Sequence, residues 1–290
     1  MSERAAPTLG EAVEDVFGVR PLSAREFDKI RKLAREKFGL DLRQGKEPLV
    51  AARLGKRIRE AGCRSFDEYF QHVLADASGE ALAEMIDSLS TNFTSFMRET
   101  AHFEFLRKTI IPELQRRSKI EIWSAACSSG EEPYSILFTL LDVLGDSAPV
   151  HILATDISRK ALNTARAGVF QAERLESLPQ SWLRRFFLRG QGRWEGWYRI
   201  KPEVAGKIEF RRLNLIEPFP SNWRYPAIFC RNVMIYFERS LEESVARRLG
   251  ECLEPGGHLL IGHAESLTGL DVGLEYVRPA VYRNPVRGKP

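Results

Sequence analysis

No run of residues in this 290-residue chain is apolar for long enough to cross a bilayer, so a membrane-embedded protein is excluded and no membrane insertion is expected. Cysteine is scarce. Cys63, Cys127, Cys230 and Cys252 form no CxxC pair, and they read as reduced thiols rather than as a disulfide framework or a zinc site. Histidine is as sparse: His72, His102, His151, His258 and His263 show no ligand spacing such as HxxxH, and no metal is expected. The first twenty residues carry no hydrophobic signal core. They read as a flexible tail, and the protein is expected in the cytoplasm. The remaining bulk usage, 43% hydrophobic and 28% charged, is that of a globular chain with room for two domains.

The net charge of +4 hides an asymmetry. Between Arg20 and Arg64 there are fourteen Lys/Arg against six Asp/Glu, an excess of eight, which leaves the rest of the chain at about −4. A basic end on a near-neutral body implies an acidic partner: nucleic acid, anionic lipid or an acidic protein surface.

Residues 21–90 read as an all-α domain. Ser23 with Glu26 forms a capping-box pattern, followed by Phe27, Ile30, Leu33 and Phe38 at helical spacing up to Gly39. A second helix over 48–61 is expected to bury Leu49, Leu54 and Ile58 and to show Arg53, Lys56, Arg57 and Arg59 on one exposed face. Ser65 with Glu68 gives another capping box, ahead of Tyr69, Phe70, Val73 and Leu74. Leu82, Met85, Ile86 and Leu89 mark a fourth helix. Residues 91–118 read as a connecting segment and helix, unusually apolar for a linker.

From about residue 119 to the end the texture is α/β. Short apolar runs at 120–124, 150–155, 208–213, 227–231 and 258–262 alternate with helical patterns at 132–144, 158–167 and 241–253. Such alternation predicts a parallel sheet covered on both faces, with ligands beyond the carboxyl ends of its strands. Those ends read Ser124-Ala125-Ala126, Asp156, Asn214 and Asn232. One stretch interrupts the pattern: at about 188–207, glycines alternate with Trp194, Trp197 and Tyr198, which suggests a small inserted β-hairpin.

Several residues invite chemistry. Glu131 and Glu132 open a helix just after small residues at a strand end. They either complement the helix dipole or meet a cationic ligand. Asp156 ends a buried strand, as a helix-start residue or as an acceptor for ribose hydroxyls. Arg231 and Asn232 close an apolar strand, where an unsatisfied polar pair would be costly. Asn214 has the weaker claim, since an Asn ending a strand is usually a turn residue.

Taken in order, TNFTSFMRE (91–99), WSAACSSGEEPYS (123–135), ATDIS (154–158), RRLNL (211–215), FCRNVMIYF (229–237) and PGGHLLIGHAES (255–266) resemble the chemotaxis receptor methyltransferase family over nearly the whole chain. The resemblance implies a helical N-terminal domain joined to a Rossmann-like methyltransferase domain with a small inserted β-subdomain. It implies S-adenosylmethionine as methyl donor, S-adenosylhomocysteine as product, and glutamates of receptor cytoplasmic helices as acceptors. Carried over position by position, the cofactor contacts are Asn92, Thr94, Arg98, Glu132, Asp156, Asn214, Leu215, Arg231 and Asn232. Arg98 and Tyr236 are expected beside the acceptor carboxylate and the methyl group. The cofactor loop keeps only Gly130 where methyltransferases at large carry GxGxG, and Met97 stands where an aromatic residue is expected.

On this reading Arg53, Lys56, Arg57 and Arg59 meet the acidic receptor surface, or are simply a solvated helix face. The insertion either docks a receptor's C-terminal peptide or is purely structural; Gly190, Gly192 and Gly196 match the glycine spacing of family members that use such a tether. The protein is expected to act as a monomer and to bind no nucleic acid. Two rivals are a nucleic-acid methyltransferase, suggested by the basic end, and a signalling protein that binds the cofactor without transferring methyl.

Overall fold

The computed structural model describes residues 21–90 and 92–286, so the expected tail at 1–20 lies outside the described residues. The chain divides after Thr91 into two units.

The first unit holds four helices, α1 (Ala24–Phe38), α2 (Glu47–Glu60), α3 (Phe66–Ala75) and α4 (Glu80–Leu89). Ser23 and Glu26 make the full capping box at the start of α1, and Gly39 ends the helix in the left-handed conformation. At α3 only half of the expected box forms. Ser65 Oγ accepts from the Glu68 amide, while the Glu68 carboxylate takes the Arg64 amide rather than that of Ser65.

Helix α2 departs from expectation in two places. Leu49 is 41% exposed, and Val50 takes the buried position beside Leu54 and Ile58. Nor do the four basic residues share one exposed face. Arg53 donates to the Leu89 carbonyl at 2.6 Å and Arg57 to Ser88 Oγ at 3.2 Å, so both are half-buried against the end of α4. Lys56 and Arg59 alone are exposed. The cause is helical geometry: positions 53 and 57 lie one turn apart and project to the same side, whereas 56 and 59 point elsewhere.

The second unit is built on a seven-stranded sheet of order β6-β2-β1-β7-β8-β10-β9. Its strands are β1 (Ile120–Ala125), β2 (Val150–Asp156), β6 (Ile208–Arg212), β7 (Tyr225–Cys230), β8 (Leu253–Ile261), β9 (Glu275–Arg278) and β10 (Val281–Arg283). The first five are parallel; β10 and β9 add an antiparallel edge that the sequence reading missed. Successive residues pack on opposite faces. Ile122, Ile152 and Phe229 join one buried cluster, and Trp123, Leu153 and Ile228 join the other. Helices α7 (Glu131–Leu144), α8 (Arg159–Ala167) and α11 (Arg239–Glu251) follow β1, β2 and the β7 turn. Ahead of β1, α5 (Thr100–Phe105) runs through a π-helical turn at Leu106–Ile110 into α6 (Ile111–Leu114).

The chain places β2 and β6 on one side of β1 and β7 and β8 on the other, so β1 and β7 flank the topological switch point. There the connecting loops diverge and leave a crevice at the carboxyl ends of the strands.

The insertion is larger than a hairpin. Strands β3 (Val169–Gln171), β4 (Phe187–Arg189) and β5 (Trp197–Ile200) form a separate antiparallel sheet of order β3-β5-β4. Between β3 and β4 lie a 3₁₀ turn, Ala172–Leu175, and α9 (Gln180–Phe186); α10 (Pro202–Ala205) leads on to β6. The hairpin expected at 188–207 is the β4–β5 part of this sheet. The first strand was missed because it is three residues long and follows Gly168 directly. An aromatic cluster anchors the insertion: Phe138 of α7 stacks on Phe186 at 4.6 Å, and Phe96 lies edge-on to Phe170 at 5.0 Å. Among the described residues no helix is long and apolar enough to cross a membrane.

Candidate functional site

The loop after β1 resolves the missing glycines. Ala126, Ser128 and Gly130 all adopt positive φ, at 70°, 49° and 98°. These are the three alternating positions where GxGxG would supply glycine. The backbone therefore makes the same turn, with two non-glycine residues held in a conformation that costs each of them roughly 1 kcal/mol. Hydrogen bonds compensate. The Ala126 and Cys127 amides both donate to the Thr155 carbonyl at 2.8 Å, and the Ser128 amide to Asp156 Oδ2 at 2.8 Å. Gly130 itself has no substitute, since a Cβ there would lie 2.9 Å from Ala165 Cβ.

Asp156 is 7% exposed at the end of β2 and also accepts from the Ser158 amide at 2.8 Å. Both carboxylate oxygens thus serve the loops around the crevice. Leu215 is buried beyond β6. Asn214 makes an Asx turn, its Oδ1 accepting from the Ile216 amide at 3.3 Å while its Nδ2 reaches Glu217 at 3.2 Å.

The paired glutamates of α7 do not wait for an outside cation. Glu131 is fully buried and ion-paired with Arg174 of the insertion, and it accepts from Ser129 Oγ at 2.8 Å. Glu132 accepts from Ser124 Oγ at 2.7 Å and from Arg231 Nη1 at 2.9 Å. Burial pushes the Glu132 carboxyl above its ordinary range, against the pull of Arg231 and Ser124.

Arg231 is the hub. Its guanidinium, 2% exposed, also meets Glu99 Oε2 at 3.0 Å and the Arg98 carbonyl. The polar pair that follows β7 is therefore bonded inside the protein: Arg231 by Glu132 and Glu99 through its Nη atoms, its Nε alone left without a partner among the described residues, and Asn232 by Glu99 through Nδ2 at 3.2 Å. Burial works to raise the Glu99 carboxyl, but Arg231, Asn232 and the His263 amide together hold it below the usual range. Glu99 gave no local signal because the groups that hydrogen-bond its carboxylate, Arg231, Asn232 and the His263 amide, lie more than 130 positions away. It stands in the TNFTSFMRE motif, which was its one available signal.

Arg98 and Asn92 sit on the same segment. Arg98 Nη1 donates to the Phe93 carbonyl at 2.8 Å, and its guanidinium lies 5.8 Å from the ring of Phe93, itself 74% exposed. The Asn92 carbonyl accepts from Ser128 Oγ at 3.2 Å, which ties the segment to the loop after β1. Thr94 is half-buried two residues on. Tyr236 ends the 3₁₀ turn Met234–Tyr236 that follows β7 and is half-buried. The structure thus gathers Asn92, Thr94, Arg98, Glu132, Asp156, Arg231, Asn232 and Tyr236 on segments that end at or border the switch point. Arg53, Lys56, Arg57 and Arg59 belong to the other unit.

The histidine spacing gave no sign of one further cluster: Glu99, His102 and His263 bring one ligand-type atom each within 4.8 Å of the others. A cation fits poorly there. Both Glu99 oxygens already accept from Arg231, Asn232 and the His263 amide, and Arg231 and Arg278 add positive charge nearby. The same surroundings act on His102. Burial first, then Arg231, depresses it to about 3, and neither ring nitrogen has a hydrogen-bond partner.

The site suits a nucleotide-bearing cation such as S-adenosylmethionine. A tight left-handed turn lets a ligand approach the backbone, the buried Asp156 stands one strand over, and Glu99 and Glu132 set two carboxylates against the one guanidinium of Arg231.

Comparison with known proteins agrees. The family model described as "CheR methyltransferase, SAM binding domain" matches residues 92–280, and the one described as "CheR methyltransferase, all-alpha domain" matches residues 25–90. A chemotaxis protein methyltransferase of Borreliella burgdorferi is 36% identical over 89% of this chain and 93% of its own. Chemotaxis protein methyltransferase 2 of Pseudomonas aeruginosa is 39% identical over 92% of this chain and 96% of its own. The chemotaxis protein methyltransferase of Escherichia coli K12 is 38% identical, covering 86% and 87%.

Proposed function

The chain belongs to the CheR methyltransferase family, and on that premise we propose that it esterifies glutamate side chains on the cytoplasmic helices of methyl-accepting chemotaxis receptors. It is an S-adenosylmethionine-dependent methyltransferase. The observation that carries the acceptor is the match of both units, 25–90 and 92–280, to one family whose relatives are chemotaxis protein methyltransferases over most of their length.

When bound, S-adenosylmethionine supplies a sulfonium-activated methyl group and leaves as S-adenosylhomocysteine. A glutamate titrates near ~4.3, so at neutral pH the acceptor is already the nucleophile and the chain needs no general base. Its residues position and shield. Asp156 takes the ribose hydroxyls. Asn92, Thr94, Glu132, Asn214, Leu215, Arg231 and Asn232 line the rest of the cofactor site. Arg98 holds the acceptor carboxylate, for which a planar guanidinium is suited. Tyr236 orients it with its hydroxyl. The enzyme acts as a monomer in the cytoplasm, without a metal. Lys56 and Arg59 of the basic helix face the acidic receptor surface.

The β-subdomain tethers a receptor's C-terminal peptide. Strand β4 is a free edge there, with Leu188 49% and Trp194 52% exposed, which supports addition of a strand. Tethering would raise the local enzyme concentration without altering the site.

Tritium transfer from labelled cofactor to receptor-rich membranes tests the reading. Base-labile label on receptor is expected; label on nucleic acid, or none, would defeat it. For the tether, fluorescence anisotropy with receptor C-terminal peptides should show binding, and equal activity on tail-truncated receptors would leave the insertion structural.

A further inference from the structure

One buried carboxylate has no part in the chemistry described so far. Glu265 is 6% exposed in the turn after β8, and its two oxygens collect five backbone amides. Oε1 accepts from Val233 at 2.9 Å, Met234 at 2.7 Å and Ile235 at 3.3 Å. Oε2 accepts from Asn232 at 2.9 Å and Gly262 at 2.5 Å. Four of the donors are consecutive, and they are the segment between Arg231 and Tyr236.

Four successive amides converge on one side only if the backbone curls. Asn232 makes that curl with φ 56°, a left-handed conformation that strains a residue with a side chain. A concavity of successive N–H groups after a left-handed residue is an anion-binding nest. Here the anion is Glu265, supplied from the turn after the neighbouring strand β8. The two strand ends meet so closely that a Cβ on Gly262 would lie 2.4 Å from Asn232 Nδ2. Without the carboxylate the segment would keep its strain and lose its acceptors, leaving only, among the described contacts, the Asn232 Nδ2–Glu99 bond and the turn's own Tyr236–Val233 and Phe237–Met234 backbone bonds to hold Asn232 and Tyr236 at the crevice.

We propose that Glu265 is a positioning residue for methyl transfer, its carboxylate clamping the 232–235 amides so that Asn232 faces the cofactor and Tyr236 the acceptor. This rests on the roles assigned above to Asn232 and Tyr236. Glutamine is the discriminating replacement. It has the same size, but it turns one acceptor oxygen into an NH₂ group, and every group around it is already a donor. Whichever way the amide is turned, it confronts either two or three N–H groups. Aspartate is one methylene too short to span both sets.

Full-length Glu265→Gln is titrated calorimetrically with S-adenosylhomocysteine at a temperature where its circular dichroism matches wild type, and assayed for transfer. The affinity should fall tenfold or more, the KM for cofactor should rise in step, and kcat should fall as well. A carboxylate that merely stabilised the fold would change the melting temperature and leave all three intact, and affinity within twofold of wild type overturns the proposal. Should the variant not fold, amide exchange on the wild-type chain decides. The 232–235 amides should be protected with and without S-adenosylhomocysteine, and exchange at open-loop rates overturns the clamp. Neither the affinity nor the exchange uses an acceptor, so a wrong acceptor assignment would abolish transfer to receptor in wild type and leave both readouts standing.

Discussion

The Ser128 amide donates to Asp156 Oδ2 at 2.8 Å, joining the loop after β1 to the end of β2 through a single carboxylate. Asp156 therefore has two tasks, holding a strained turn and accepting from the ligand. Asp156→Ala should weaken cofactor affinity by roughly ten- to a hundredfold. It should also lower stability by about 1–3 kcal/mol, since the Ser128 and Ser158 amides lose their acceptor. Calorimetric titration with S-adenosylhomocysteine reads the first effect and thermal unfolding the second. Unchanged affinity would remove Asp156 from the site.

Arg98→Ala should nearly abolish transfer while leaving the melting temperature in place, because the half-exposed guanidinium bonds only to the Phe93 carbonyl among the contacts described. Tyr236→Phe should retain more activity, as the ring and its packing remain. Normal turnover by folded Arg98→Ala would remove Arg98 from the acceptor site.

The basic helix divides into two experiments. Reversing Lys56 and Arg59 to Glu should raise the KM for receptor by about three- to tenfold with cofactor affinity unchanged, more so at low salt. Reversing Arg53 and Arg57 should instead lower the melting temperature of the helical unit, since those side chains bind the end of α4. Activity on receptor that ignores both ionic strength and the Lys56/Arg59 reversal would return this face to plain solvation.

His102 makes stability depend on pH. Its folded-state value, about 3, lies below the ~6.5 of an unfolded histidine, so its contribution is complete above pH 6.5 and drains away as the pH falls. The slope approaches about 1.4 kcal/mol per pH unit, because the unfolded chain takes up a proton that the folded chain refuses. His258 is depressed by burial too and tilts the curve the same way, so the informative quantity is the difference between wild type and His102→Leu. Denaturant unfolding at pH 7, 6 and 5 should show the variant losing less. Parallel curves would mean that His102 is protonated in the fold.

What the sequence made legible were features local in the chain. Capping at Ser23, the strand cores and the residues at strand ends follow from neighbours within a few positions, and each is where periodicity placed it. The misreadings share a cause as well. Val50 displaced Leu49 because a helix face is chosen by what packs on it, and the strand at 169–171 is too short to display a period. Glu99 and Glu265 stayed invisible because they bond to segments 30 to 164 positions distant. The missing GxGxG did not obscure the family, but how the loop turns without it was not legible: positive φ at Ala126 and Ser128 is held by Thr155 and Asp156, from outside the loop.

Phe96 lies edge-on to Phe170 at 5.0 Å and to Phe187 at 6.3 Å, two residues along the chain from Arg98. The insertion and the segment carrying that arginine therefore share one piece of core. Mutational tolerance within the insertion should be uneven as a result. Of the glycines in the turn at 190–196 only Gly190 is fixed by close packing, a Cβ there running into the Trp194 carbonyl, whereas the volumes at Phe170 and Phe187 are bound to that of Phe96. A substitution at Phe170 or Phe187 would be inherited as a defect in transfer, passed through Phe96 to the segment that carries Arg98.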